Sequence, residues 1–137
     1  HEALDTGYLP QAYTSHLVVQ STPDRVVPIT LYMDGVAYSQ TDTVVGIWCQ
    51  NALTKTRHLA ALVRKRLCCR CGCRGWCAFW GVLKCIHWSL VCLAEWLYPT
   101  SRHDGSDLLP TDSFRRDKAG LRMKLKCALV LIRGAWA

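Results

Sequence analysis

The chain has 137 residues, of which half are hydrophobic and a fifth are charged, and its formal net charge is +7. This composition excludes an intrinsically disordered chain, and the length is sufficient for one domain with its own core. The first residues are polar and show no secretory signal. Because the chain starts with His1 and stops within an apolar run, we interpret it as a fragment or a processed product.

The positive charge is unevenly distributed along the chain. Residues 43–94 contain eight basic residues and no acid, and a second basic group occupies residues 115–133. Such segments favour polyanions, with nucleic acid (DNA above all) first and an anionic membrane surface second. A solvated basic face is the alternative, and no pattern indicates a small-molecule substrate. The predicted contacts with phosphate groups are Arg64, Lys65, Arg66, Arg70 and Arg74.

The hydrophobic patterns predict an α/β (α+β) fold. Residues 1–24 form a loosely structured lead-in, in which residues 15–19 fit a short strand. A single domain, interpreted as truncated, follows at residues 25–137. It begins with an antiparallel three-stranded meander, followed by a cysteine-rich insertion at residues 67–78, one long helix and a further strand. The predicted strands are 26–35, 43–49, 58–64 and 127–132, and the predicted helix is 76–98.

Five of the nine cysteines lie within residues 68–77, interleaved with arginine and glycine. The pairs Cys68/Cys71 and Cys73/Cys77 supply four thiolates, which are the preferred ligands of a structural Zn²⁺. The two pairs are unusually close in the chain, so a distant ligand is also considered, namely Cys85, His87 or His103. Free thiols are the alternative. The cluster indicates a reducing compartment, such as the nucleus.

Two carboxylates are candidates for catalysis. Asp34 lies at the end of the first predicted strand, where a carboxylate can hold Mg²⁺ for phosphoryl transfer. Asp104 lies in the loop 101–105 beside a histidine and a glycine, and it is the second candidate. Further partners of Asp34 are Glu95, Asp107 and Asp112. A β-turn at Asp34-Gly35 is the competing interpretation, and the dipeptide itself favours the turn.

The apolar stretch 76–98 has a competing interpretation as well. It is long enough to span a bilayer, has tryptophans near both ends, and follows a basic segment. Lys84, His87 and Glu95 lie within the stretch and argue for a buried helix of a soluble domain.

Three segments carry a resemblance to a known group of sequences: Leu31–Gly35, the knuckle Cys71–Cys77, and Ser101–Gly105. Over residues 26–137 the chain resembles mobile-element-type open reading frames that recur in repeat-rich protist genomes. The order of elements also resembles the ribonuclease-H-like core of transposases and integrases. In that core an acid lies on the first of three antiparallel strands, and a helix is followed by a strand that ends in a second acid.

The resemblance implies that Asp34 is the first metal ligand and that the second acid lies within residues 133–136. The sequence has Ala135 there instead of an acid. We therefore predict a truncated or decayed transposase-like domain that binds nucleic acid through a basic, zinc-stapled region and lacks cleavage activity. The alternatives are a small subunit of a membrane complex, anchored by residues 76–98, and a plain zinc-binding interaction module.

Overall fold

The computed structural model of the protein describes residues 11–135, which form a mixed α+β structure. The elements in chain order are α1 (Leu17–Gln20), β1 (Val26–Ala37), β2 (Thr43–Asn51), β3 (Arg57–Arg64), a 3-10 turn (Lys65–Leu67), α2 (Trp76–Glu95), α3 (Ser113–Lys118) and β4 (Lys126–Ala135). The chain divides into two compact units. Of the described residues, the first unit contains 11–27 and 87–128, and the second contains 28–86 and 129–135.

The four strands form one sheet in the order β3-β2-β1-β4. β2 pairs antiparallel with both β1 and β3, with a register shift between Ile47 and Trp48. The sheet is mixed, so β4 runs parallel to its neighbour β1. The predicted meander, long helix and later strand are therefore confirmed as elements. The strand count and order differ from the prediction: residues 17–20 are helical instead of extended, and the sheet order is β3-β2-β1-β4, with the last strand beside β1.

The expected turn at Asp34-Gly35 is wrong. β1 continues to Ala37, and Asp34 pairs with Gly46 in the middle of the ladder. The chain reverses after residue 37 because the Ser39 hydroxyl oxygen accepts the backbone N–H groups of residues 41 and 42. Side-chain acceptors of this kind stabilise a turn that competes with further strand pairing.

The core of the second unit is formed by β-branched and aliphatic residues of the meander. Ile29, Leu31, Ile47 and Val63 are almost completely buried, together with Pro28. Such residues fit the half-buried surface of a pleated sheet, which explains why these segments form strands. The turn between β2 and β3 follows from Asn51, whose side-chain oxygen accepts two backbone N–H groups in residues 53–54.

The first unit is held together by short backbone pairings and by cations over aromatic rings. Leu97 pairs with Arg122 in an isolated antiparallel bridge, and the Arg122 guanidinium lies 4.3 Å from the centre of the Trp96 ring. Trp96 has a left-handed backbone (φ 66°) directly after α2, which ends the helix there. The Tyr13 hydroxyl donates to the carbonyl oxygen of Val26.

Helix α2 is long and apolar, and almost none of its residues is fully buried. Its mean hydropathy over 18 residues is 1.6, and 6 % of that window is buried. By length and composition alone, this helix could cross a membrane. Cys92 is its one buried residue. The prediction of a long helix is confirmed, but within the part of the chain that the structure describes, α2 is not a buried core helix.

A buried carboxylate connects the β1–β2 turn to the end of β3. Asp42 is 6 % exposed and accepts five hydrogen bonds, from the Tyr38 hydroxyl, the Thr43 N–H, the Arg66 N–H, and both Nε and Nη2 of Arg64. The Arg64 guanidinium also donates to the Tyr38 hydroxyl. Burial alone would raise the pKa of Asp42, but the hydrogen bonds outweigh it and hold the pKa below its ordinary value.

We expect Asp42→Asn to lower the thermal unfolding temperature by several degrees at neutral pH, because an amide cannot replace a carboxylate that accepts five hydrogen bonds. The folded-state pKa of Asp42 lies below the ordinary value of 3.8. The stabilisation is therefore complete above that pH and is lost as the pH falls through the lower, folded-state pKa. Circular dichroism melts from neutral to strongly acidic pH should show the two proteins converging in acid.

The matched control is Asp117→Asn, which removes an exposed carboxylate on α3. It should change the unfolding temperature little at any pH, since surface substitutions of this kind have small effects. A difference between the wild-type protein and Asp42→Asn that stays constant down to strongly acidic pH would contradict the assignment.

Candidate metal centre

Four thiols converge in the loop between the 3-10 turn and α2. The sulfur atoms of Cys69, Cys71, Cys73 and Cys77 all lie within 4.8 Å of one another. The Sγ atom of Cys69 is 3.2 Å from that of Cys71 and 3.1 Å from that of Cys73, and the Cys71 and Cys77 sulfurs are 3.7 Å apart. No other group of three or more potential ligands meets this distance in residues 11–135. The group can hold a metal ion.

The loop closes on itself through left-handed backbone positions. Gly72 (φ 88°), Arg74 (φ 55°) and Gly75 (φ 89°) turn the chain back toward its start. Gly75 is buried, and a Cβ atom there would lie 3.3 Å from the sulfur of Cys68 and 3.5 Å from the Phe79 ring. A side chain at position 75 would therefore be strained in both conformation and space. Glycine at this position allows α2 to begin directly beside the thiols.

The start of α2 also supplies a donor to the cluster. The backbone N–H of Cys77 donates to the sulfur of Cys73 over 3.3 Å. This bond, together with hydrogen bonds from the thiols of Cys69 and Cys71, lowers the pKa of Cys73 to about 6. The hydrogen bond to Cys73 is the largest cause of a raised pKa at Cys69. The site thus already favours one thiolate, and a soft cation would replace the protons that the remaining thiols carry.

The four-cysteine group differs from the predicted set by one member. Cys71, Cys73 and Cys77 belong to it as predicted, but the fourth position is taken by Cys69 instead of Cys68. The Cys68 thiol donates to the carbonyl oxygen of Arg64 over 3.5 Å and packs against Gly75. The more distant candidates Cys85, His87 and His103 lie outside the group. The prediction relied on the Cys-x-x-Cys spacing, whereas the loop brings together three cysteines at alternate positions, 69, 71 and 73, with Cys77 at the start of α2.

The predicted phosphate contacts separate into two kinds. Arg64 is engaged by Asp42, with 3.1 Å between Nη2 and the carboxylate, so its role is structural. The other four, Lys65, Arg66, Arg70 and Arg74, are exposed. Within the described residues, none of these four side chains forms an ion pair.

Three of the exposed cations line one open groove of about 490 Å³. Its other walls come from the β1–β2 turn and from the first cysteines of the loop. The groove contains one acid, Asp42, whose charge is already balanced by Arg64. The lining is therefore polar and positively charged. The lining residues are Ala37, Ser39, Gln40, Thr41, Asp42, Thr43, Lys65, Arg66, Cys68, Cys69 and Arg70.

The two candidate catalytic carboxylates lie in different units and are described separately. Asp34 is partly buried on β1 and accepts a hydrogen bond from the Tyr32 hydroxyl over 3.2 Å. The cross-strand partner of Asp34 is Gly46. The Trp48 ring covers Gly46 so closely that a Cβ atom at position 46 would lie 2.2 Å from the ring. In the described part of the chain, Asp34 belongs to no group of three or more potential metal ligands.

Asp104 lies in an exposed turn of the first unit. Its carboxylate accepts hydrogen bonds from the N–H and the hydroxyl of Ser106, which lower its pKa. These contacts are those of a residue that shapes a turn.

Asp42 is the structurally important residue that the sequence did not single out. It is the last acid before the long basic segment, and this isolated position was the one available signal.

No protein-family model, curated protein or solved structure matches the chain. The interpretation of the site therefore relies on the residues and their geometry.

We expect Cys69→Ser to abolish stoichiometric metal binding and Cys68→Ser to preserve it, because the first variant removes a ligand and the second leaves all four thiols in place. The measurement is titration of the reduced, metal-free variants with Co²⁺, following the thiolate-to-metal absorption bands. The opposite result, with metal lost in Cys68→Ser and retained in Cys69→Ser, would restore the ligand set predicted from spacing alone.

Proposed function

We propose that the chain is a zinc-stapled module that binds nucleic acid through the basic residues around its cysteine loop. The observation that carries the proposal is the convergence of four thiols next to cations that have no acidic partner among the described residues. The compartment that suits such a module is the nucleus or another reducing environment, where the thiols stay reduced.

Zinc is the metal that this ligand set supports best. A tetrahedral site with Zn–S bonds of about 2.3 Å separates the sulfur atoms by roughly 3.8 Å. The sulfur–sulfur distances of 3.1 to 3.7 Å between hydrogen-bonded members are close to this value, so small movements complete the tetrahedron. Four protein ligands leave no open position for substrate or water, which supports a structural role for the ion.

The polyanion part of the proposal is supported by the groove beside the loop. Lys65 and Arg66 lie on the 3-10 turn, and the Arg66 N–H is fixed by Asp42, so the turn has one defined position against the β1–β2 turn. A zinc ion with four thiolates carries about two negative charges. Arg70 and Arg74 lie between the ligands in the sequence, so their two positive charges offset that charge. Lys65 and Arg66 then remain available for phosphate groups.

The ribonuclease-H-like ancestry is part of this proposal as well. Three antiparallel strands, a long helix and a fourth strand beside the first occur in the order that the resemblance implies. Asp34 lies on the first strand, as the resemblance requires. Phosphoryl transfer needs at least a second carboxylate near the first, and the end of β4 has Ala135 where an acid is expected. The proposal therefore includes binding and excludes cleavage.

We expect nucleic-acid binding to weaken steeply with salt, because each neutralised phosphate releases about one counterion. Removing two cations in Lys65→Ala/Arg66→Ala should reduce the slope of log Kd against log salt concentration by about two. The measurement is fluorescence anisotropy of a labelled oligonucleotide at several salt concentrations, with zinc-loaded protein throughout.

The control Arg115→Ala/Arg116→Ala removes the same charge from the exposed α3 helix. If both variants lose affinity equally, binding depends on the net charge of the protein and not on the groove. A salt-independent affinity would remove the proposal altogether.

A second function is favoured by the exposure of α2. A 20-residue helix that has a mean hydropathy of 1.6 over 18 residues and almost no fully buried residues has the properties of a membrane anchor. In this alternative the chain is a small subunit of a membrane complex, and the cationic loop before α2 lies at the anionic surface.

If α2 inserts into lipid, Val91→Asp should abolish flotation with anionic vesicles, because a carboxylate in the hydrocarbon region is costly. Leu62→Asp on β3, another apolar position at the surface (58 % exposed, against 39 % for Val91), serves as the control and should float normally. The membrane alternative is rejected if the wild-type protein stays monodisperse without detergent and does not float.

A further inference from the structure

The first two turns of α2 present an aromatic pair at the surface. Trp76 is 54 % exposed and Trp80 is 50 % exposed, and their ring centres are 5.8 Å apart at an interplanar angle of 33°. Residues four apart lie on the same face of a helix, so the two rings form one continuous surface. Leaving two tryptophans half uncovered is unfavourable in water, which makes this surface a candidate binding site.

One cation lies over the pair, and a second lies close to it in the sequence. The Lys84 ammonium lies 5.4 Å from the centre of the Trp80 ring, one further turn along the same face. Arg74 precedes Trp76 by two residues and is exposed. An aromatic surface bordered by positive charge fits a ligand that has both flat rings and negative charge.

The pair is also positioned by the cysteine loop. Trp76 directly precedes the ligand Cys77, and its backbone N–H donates to the Cys73 carbonyl oxygen over 3.1 Å. Metal binding at Cys73 and Cys77 therefore fixes the backbone that carries the first ring. A rigid aromatic surface loses little side-chain entropy when a ligand stacks on it.

We infer that Trp76 and Trp80 form a stacking platform for unpaired bases, so that the preferred ligand is single-stranded nucleic acid. This inference rests on the proposed function and deepens it by naming the form of the nucleic acid. A base between the rings would need about twice the 3.4 Å stacking distance, roughly 6.8 Å, so bases stack on the outer surfaces of the pair. A duplex keeps the faces of its bases covered and cannot use this platform.

Lys84 argues for a nucleic acid over a lipid as the occupant. It lies eight residues into α2, about 12 Å along the helix axis, where a membrane-spanning helix would carry it into the hydrocarbon region. On an aqueous nucleic-acid surface the same ammonium has a phosphate within reach.

The test compares Trp76→Ala/Trp80→Ala with the wild-type protein, both loaded with zinc, on a single-stranded oligonucleotide and on a duplex of the same length. We expect the double variant to lose roughly five- to a hundredfold in affinity for the single strand for each ring removed, and less than about twofold for the duplex. Trp76→Phe/Trp80→Phe should retain most of the single-strand affinity. Unchanged zinc stoichiometry in each variant shows that the loop remains intact.

Phe114→Ala is the matched control, since it removes another exposed aromatic ring that has a lysine, Lys118, over it. It should leave single-strand affinity unchanged.

Equal binding of single strand and duplex by the wild-type protein would overturn the platform and leave the proposed function standing. Absence of binding to either nucleic acid overturns both. If the double variant instead loses affinity for anionic vesicles alone, the tryptophans are a membrane contact and the inference is wrong.

Discussion

The hydrogen bonds to the Asp42 carboxylate are the constraint on which the second unit depends. One carboxylate oxygen accepts the N–H groups of Thr43 and Arg66, and the other accepts from Tyr38 and Arg64. The turn after β1 is thereby joined to the residues that follow β3, over a separation of more than twenty residues. A buried charge is tolerated only when its donors are all supplied, so the local structure is specified closely.

This constraint determines where the cysteine loop begins. The 3-10 turn starts at Lys65, immediately after Arg64, and Cys68 follows it with an extended backbone. Gly72, Arg74 and Gly75 then reverse the chain within a few residues. The loop is fixed at one end by a carboxylate and at the other by the first turn of α2. A metal ion would add a third restraint between these ends, which suits the structural role that we propose for the site.

The regular elements could be predicted from the sequence because their signals are local. β-branched runs gave the strands, and the long apolar stretch gave α2 within a few residues of its observed end. The exact ligand set could not be predicted, because the choice between Cys68 and Cys69 depends on how the backbone turns at Gly72 and Gly75. The role of Asp42 was hard to predict as well, since its partners Arg64 and Arg66 become neighbours only after β2 and β3 have paired. The position of β4 beside β1 is likewise a property of the whole sheet.

The exposed surface of α2 is most simply explained when its two ends are considered separately. The end near the loop carries Trp76, Trp80 and Lys84, so that two aromatic rings and one ammonium group follow one another along one face. The other end contains the buried Cys92 and leads into the left-handed Trp96, so it is anchored by the first unit. A bilayer would require uniformly apolar surface along the whole helix, whereas a polyanion with stacked rings requires this mixture at one end only. The distribution of charge along α2 is therefore the physical reason why we propose nucleic acid and not lipid as its partner.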